Sequence, residues 1–297
     1  MKKNFGRVLA ALIAVCVLSM FAHCAAALTI GTFNIEYFHM QGTGGGIAQP
    51  PYTGDDMKEV ASSILKSGAD VLALQEIQGE ETMRFFVLKY LPGWKYYGKD
   101  IAYKKLGWDN SRENQNHYFL WDPAKVTLLG TPYLHYLKDK FEHAGRRSLI
   151  FDRAPMEARF RDNATGREFT LVCVHLKSFS TAGKSDVEAA QRYNIAKRAA
   201  QVECLNELSE KLKGPAFILG DYNSPNPRSE VTYPLLTLES GTTFDNWNSS
   251  IDYIGYIGID RARLGTPKET ETRIERRSSR RKDHPDHDIL TLDVTLD

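Results

Sequence analysis

The chain has 297 residues and a formal net charge of +1, a length that one α/β or sandwich domain can fill, and no linker-like stretch divides it. Four cysteines, two of them, Cys16 and Cys24, near the start, exclude a disulfide framework as the basis of the fold.

In chain order, Lys2, Lys3 and Arg7 precede an apolar stretch, residues 8–22, and then Ala25, Ala26 and Ala27. This is the layout of a secretory signal with a small-residue cleavage site. The apolar part is shorter than the roughly 20 residues a spanning helix needs. We therefore expect cleavage after Ala27, a secreted or periplasmic location, and no stable membrane insertion of the mature chain. Residues 28–297 then form a single domain, expected to be a monomer. Loss of Lys2, Lys3 and Arg7 takes the net charge from +1 to −2. Cys173 and Cys204 remain and read as buried free thiols.

Strand-like apolar runs follow at residues 28–34, 71–74, 118–121, 156–160, 169–175, 216–219, 251–257 and 289–294. A helix is predicted after Thr53, whose spacing to Asp56 suits an N-cap, with Met57, Val60, Ala61 and Ile64 on one face and a stop at Gly68. A second is predicted from a Ser185/Glu188 capping box to about Lys213, with Val187, Ala190, Ala199, Val202, Leu205, Leu208 and Leu212 roughly at helical spacing; Gly214 and Pro215 end it. The glycine-rich segment 41–51 reads as a flexible loop soon after Asn34. Many strands with few helices indicate two packed sheets covered by helices. Between Arg261 and Lys282, nine basic residues (Arg261, Arg263, Lys268, Arg273, Arg276, Arg277, Arg280, Arg281, Lys282) face Glu269, Glu271 and Glu275. That local +6 leaves about −8 on the rest of the mature chain, the electrostatic footprint of a polyanion partner.

Polar groups recur at the edges of these runs. Asn34 and Glu36 stand in TFNIE, Glu76 in LQE, Arg153 in FDRAP, His175 in CVHL, Asp221 and Asn223 in GDYN, Asp252 in IDYI, and Asp286 and His287 in PDHDIL. An apolar run followed by such a residue reads as a buried strand that stops where it delivers a polar group to a shared rim. Carboxylates and imidazoles at one rim can hold a hard cation beside an acid/base pair.

The set, in this order, resembles the endonuclease/exonuclease/phosphatase superfamily, from about Leu28 to Asp297. The resemblance implies a four-layer α/β/β/α sandwich of two packed, mainly antiparallel sheets with helices outside. It implies a metal-dependent phosphodiesterase using Mg²⁺, with Mn²⁺ as a substitute, and metal ligands Glu76, Glu36 and Asp286. His175, Asp221, Asn223, Asp252 and His287 are the expected catalytic residues, with Asn34 and Arg153 contacting substrate. Asp283 and His284 form a second such dipeptide, but Asp286 and His287 have the family's spacing to the last strand. Two departures are visible: Pro285 stands where the family usually has Ser, and Gln115 where related nucleases place a glutamate that orients the histidine at position 175, with Glu113 nearby.

A nuclease acting on DNA or RNA fits the basic segment beside the last motif. A sphingomyelinase-like lipid phosphodiesterase is the alternative, with Tyr133, Leu134 and Tyr136 as the only candidate membrane hairpin. A non-catalytic binding or toxin-subunit role fits less well, because a pure binder has no need of both His175 and His287.

Overall fold

In the computed structural model of the protein, the described residues are 27–43, 50–101, 115–244, 248–272, 274–275 and 283–296. The expected signal segment, most of the glycine-rich loop, Glu113, and Arg273 with the arginines at 276, 277, 280 and 281 lie outside them. Strands β1 (Leu28–Phe38), β2 (Val71–Ile77), β3 (Lys95–Gly98) and β4 (Asn116–Trp121) come first. They are followed by β5 (Val126–Leu134), the hairpin β6 (Lys140–His143) and β7 (Arg146–Leu149), β8 (Met156–Asp162) and β9 (Glu168–His175). The C-terminal part adds β10 (Ala216–Asp221), β11 (Leu235–Leu236), β12 (Asp252–Ile257), β13 (Lys268–Thr270), the short pair β14 (Ile274–Glu275) and β15 (Asp283–His284), and β16 (Ile289–Val294). Helices α1 (Gly54–Ser67), α2 (Glu80–Tyr90) and α3 (Val187–Lys211) complete the fold.

Two mixed six-stranded sheets form, in the orders β13-β16-β1-β2-β4-β3 and β11-β12-β10-β9-β8-β5. Each contains one parallel pair, β1 with β2 and β9 with β10, among antiparallel ones. Strands covered on both faces need apolar residues at successive positions, which is why their sequences read as unbroken runs. In β2, Val71 and Ala73 enter the core between the sheets while Leu72 and Leu74 face α1 and α2. In β9, Leu171 and Cys173 enter that same core while Val172 and Val174 pack against Val202, Leu205 and Leu208 of α3. The layers therefore run helices, sheet, sheet, helix, as the four-layer reading expects. Among the described residues, no helix is long and apolar enough to cross a membrane.

Helix α1 forms as its sequence predicts. Asp56 N donates to Thr53 Oγ1 at 3.2 Å, Thr53 N donates to Asp56 Oδ2 at 2.7 Å, and Gly68 ends the helix at φ +69°. Helix α3 departs from its reading. Its N-cap is Asp186, which accepts from Ala189 N at 2.8 Å, so the Ser185/Glu188 box does not form. Val187 is exposed, and the buried face of its middle carries Asn194, Lys197, Arg198 and Gln201. Helix α2 lacks a side-chain cap at Gly79 and exposes Phe85 and Leu88, which blur its apolar stripe and hide it from sequence pattern. Strands β3, β6 and β7 escape the sequence reading because they are short, and β5 because it is mostly half-buried or exposed and gives no apolar run.

Among the described residues both cysteines are free, Cys173 buried and Cys204 half-buried. In the expected membrane hairpin, Tyr133 is exposed, but Tyr136 stacks on Phe151 with centroids 5.7 Å apart and donates its hydroxyl to Cys204 O at 2.8 Å.

Candidate active site

Strand register builds the first row of the site. In the second sheet, Asp221 of β10 is paired with His175 of parallel β9 and with Asp252 of antiparallel β12. Adjacent strands lie about 4.8 Å apart, so three polar residues from segments far apart in sequence stand side by side. Asp252 opens its strand instead of closing it; because β12 runs antiparallel, its start lies at the rim where β10 ends.

The first sheet supplies the opposite wall, and here the expectation that strands stop at the polar residue fails. β1 continues past Asn34 and Glu36 to Phe38, and β2 past Glu76 to Ile77, with register shifts on both pairs of β2. Between Asn34 and Phe38 four steps on β1 match two on β2, so the extra residues bulge and turn the acids toward the rim. Glu76 at φ +62° and Tyr37 at φ +50° occupy the left-handed region, which side-chain-bearing residues seldom take. The Tyr37 N–H donates to Glu76 Oε2 at 3.1 Å and holds the bulged carboxylate.

At the end of β10, Gly220 has φ +150°, and a Cβ there would sit 1.9 Å from Val174 O. Only glycine allows that close approach. Asp221 Oδ1 then accepts from Asn223 N at 2.7 Å, and Asn223 Nδ2 donates to Asp221 Oδ2 at 3.0 Å and Leu176 O at 3.1 Å. Asn223 is itself at φ +50°.

Side chains from both sheets meet in a cleft of about 430 Å³. Asn34 Nδ2 lies 3.1 Å from Asp221 Oδ2, 3.5 Å from Glu76 Oε1 and 3.4 Å from His287 Nε2. His175 Nε2 is 3.3 Å from Asp221 Oδ2 and 3.9 Å from Glu76 Oε1. His287 Nδ1 is 2.8 Å from Asp252 Oδ2, and its Nε2 points to Asp221 Oδ2 at 3.8 Å and Asp286 Oδ1 at 4.0 Å. Of the expected residues, nine converge: Asn34, Glu36, Glu76, His175, Asp221, Asn223, Asp286 and His287 line the cleft, and Asp252 stands behind His287.

Arg153, expected to contact substrate, does not line the cleft. It is buried beneath the cleft, donating Nη1 to Gln115 Oε1 at 3.2 Å and Nη2 to Leu176 O at 3.1 Å. Gln115 lines the cleft and uses its carbonyl to accept from this guanidinium, not to orient an imidazole.

Sequence reasoning missed several supports. Thr243 Oγ1 accepts from the backbone N–H of Ile251 and Asp252, both at 3.1 Å, and fixes the start of β12. Thr272 Oγ1 donates to His287 O at 2.7 Å. Phe244 covers His287 with ring centroids 4.7 Å apart. A lone Thr or Phe in a loop carries no sequence signal for such a role. Lys177, two residues beyond His175, also lines the cleft and was within reach of the same strand-end logic.

Electrostatics give the cleft its character. Glu36, Glu76, Asp221 and Asp286 line it against Lys177, so among the described residues carboxylates outnumber permanent cations. Burial pushes the Asp221 carboxyl well above the ordinary range, and the neighbouring Asp252 and Glu76 charges add to this, against the pull of His287. For His287, burial alone would depress the ring; the hydrogen-bonded Asp252 carboxylate overcomes it, and the imidazole is held protonated well above its ordinary value. A set of hard oxygen donors with unbalanced negative charge fits Mg²⁺ or Mn²⁺ and not a nitrogen- or sulfur-rich zinc centre. Among the described residues, no group of three His, Cys, Asp or Glu side chains is arranged to hold a metal ion. Glu36, Glu76 and Asp286 line the cleft.

Residues 31–261 match the Endonuclease/Exonuclease/phosphatase family. No curated relative is similar enough in sequence to be matched. Among solved structures, the fold is similar to a mannosyl-6-phosphatase from Bacteroides thetaiotaomicron, at 17% identity and TM-score 0.60, covering 91% of this chain and 100% of that one. It is similar to the human Nocturnin catalytic domain, at 16% identity and TM-score 0.56, covering 91% and 94% of the two chains. D. rerio TDP2 in complex with a single-strand DNA product matches at 11% identity and TM-score 0.56, over 91% and 100%. At these identities the likeness is one of fold.

Proposed function

This chain belongs to the Endonuclease/Exonuclease/phosphatase family, whose members hydrolyse phosphoester bonds, and from that premise we propose that it is an exported, divalent-cation-dependent phosphodiesterase acting on nucleic acid. The observation that carries the reading is the hydrogen-bonded pair His287–Asp252, with its Nε2 3.8 Å from Asp221, and Asn34 bonded to that same Asp221, at a cleft edged by Glu36, Glu76 and Asp286.

In this reading Asp221, with its raised proton affinity and Asn223 N–H bond, accepts a proton from the attacking water. His287, kept protonated by Asp252, donates from Nε2 to a phosphoryl oxygen where negative charge develops. Asn34 Nδ2 and His175 Nε2 offer further donors on the same side. Glu76, Glu36 and Asp286 would hold the cation, with Mg²⁺ the preferred ion and Mn²⁺ a substitute. What a bound cation adds is neutralisation of the phosphoryl charge, which this acid-rich cleft by itself repels.

The polymer preference rests on the basic run between Arg261 and Lys282, next in sequence to the last motif. The mature protein, monomeric in this proposal, should therefore be assayed with Mg²⁺ on duplex DNA, single-stranded RNA, sphingomyelin and a sugar phosphomonoester, each with and without EDTA. Cleavage of nucleic acid that stops on chelation supports the reading. Turnover of sphingomyelin or the monoester alone, or full turnover in EDTA, overturns it.

A further inference from the structure

We propose that Arg198, on the inward face of α3, is a positioning residue for the turn at residues 221–224, acting together with Glu230 and Ser224. The inference rests on the reading of Asp221 and Asn223 as catalytic groups and concerns how their geometry is held.

A helix packed on a sheet ordinarily turns an apolar stripe inward. Between residues 194 and 201, α3 instead turns in Asn194, Lys197, Arg198 and Gln201, spaced i, i+3, i+4 and i+7, all at most 6% exposed. Burying such groups is costly unless each finds partners, and the partners here are the segments behind the cleft. Asn194 Nδ2 donates to Ser180 O at 2.9 Å, and Lys197 Nζ to Asp152 Oδ1 at 2.6 Å. Gln201 Oε1 accepts from Lys177 N at 2.8 Å while its Nε2 donates to Ile150 O at 2.8 Å.

Arg198 makes the contacts closest to the chemistry. Its Nη1 donates to Tyr222 O, and its Nε to Glu230 Oε2 at 2.9 Å. The other Glu230 oxygen accepts from Ser224 Oγ at 3.3 Å. One guanidinium thus grips the chain on both sides of Asn223, the residue held at φ +50°. Asn tolerates the left-handed region better than most residues; its own bonds to Asp221 and Leu176 O hold it from within, and the grip on residues 222 and 224 holds it from outside. The Phe179 ring lies 5.0 Å from the guanidinium carbon and joins the same side chain to the segment bearing Lys177, Ser178 and Ser180. Arg198 is not among the residues lining the cleft, so it acts through the turn and not on the substrate.

The test uses Arg198→Met, Arg198→Lys and Glu230→Gln, assayed on bis(p-nitrophenyl) phosphate with Mg²⁺ and followed by backbone hydrogen exchange. Misplacement of reacting groups costs rate more than binding. Arg198→Met is expected to lower kcat by at least ~10-fold with KM within about 2-fold, and Glu230→Gln to act in the same direction more weakly. Arg198→Lys, which keeps the charge but cannot span both acceptors with a rigid fork, should fall between wild type and Arg198→Met. Exchange should quicken at residues 222–226 while the β10 interior stays protected. Wild-type kcat in Arg198→Met, or exchange that quickens equally throughout α3 and β10, overturns the proposal in favour of a general packing role. If Arg198→Met does not fold, Glu230→Gln carries the same two readouts. If the wild-type protein lacks diesterase activity, the functional reading fails, and the exchange pattern still decides whether Arg198 holds the turn.

Discussion

At the cleft, Glu36, Glu76, Asp221 and Asp286 are gathered around His175, His287 and Lys177; on the inward face of α3, Lys197 faces Asp152 and Arg198 faces Glu230. Both regions bury charge, yet only the second balances it within itself. Burial would raise the Asp152 carboxyl, but the Lys197 ammonium and Arg153 guanidinium outweigh it and hold the group at about 2. Lys197 is in turn depressed by its own burial, which the Asp152 charge only partly offsets, so the pair is tight without being a large net source of stability. In the cleft, Asp221 is displaced in the opposite direction, first by burial and then by the Asp252 and Glu76 carboxylates, against the pull of His287. A balanced buried network specifies geometry, whereas an unbalanced one stores a demand for something else: a proton, a cation or a substrate.

Breaking the balanced region should be the more damaging to the fold. Asp152→Ala leaves the Lys197 ammonium buried without its carboxylate and is expected to lower unfolding stability by about 3 kcal/mol, the scale for halving a buried pair. Urea titration at neutral pH reads this directly, and a loss within experimental error would show the pair to be dispensable.

The cleft should behave in the reverse way. His287→Ala and Asp221→Asn are each expected to cost at least ~100-fold in kcat with an intact near-UV spectrum, and substitution of His284 should be mild. If His284 proved the more sensitive, the choice between the two Asp-His dipeptides would be wrong. Glu76→Gln sharpens the contrast further. It retains an acceptor for Tyr37 N but removes one of the crowded charges, so in EDTA its melting temperature should equal or exceed wild type. Added Mg²⁺ should raise the melting temperature of wild type more than that of the variant; equal shifts would remove Glu76 from the cation site.

The smallest effect is one of pH. Because the Asp152 carboxyl is held at about 2 against an ordinary 3.8, its contribution is fully present above 3.8 and disappears as pH falls toward 2. The stability gap between wild type and Asp152→Ala should therefore narrow across that window. A gap that stays constant from neutral pH down to 2 would mean that the carboxylate charge is not what the pair contributes.

Legibility in the sequence followed the type of signal. Strands buried on both faces, such as β2 and β9, announce themselves because every position must be apolar, and α1 announces itself through Thr53, Asp56 and Gly68. Helix α3 was found but misread: Val187 and Ala199 were expected on its buried face, whereas Lys197 and Arg198 occupy it. Their partners, Asp152 and Glu230, lie more than 30 residues away and belong to no local pattern. Arg153 illustrates the same limit, since a basic residue beside a motif can serve the phosphate or the backbone beneath it, and here it reaches Leu176 O.

The sequence by itself showed polar residues at the edges of buried runs, and all of those expected at the site except Arg153 meet at one cleft. It also determined the two-sheet architecture, since the alternation of inner and outer apolar residues leaves few other ways to bury them. Only the tertiary structure decided that β1 and β2 bulge, that Asp252 enters from the start of its strand, and that Arg153 reaches Leu176 O beneath the cleft. The physical reason is range. Period and capping act over a few residues, whereas register between strands and the balance of buried charge are set by segments that meet only once the sheets have packed.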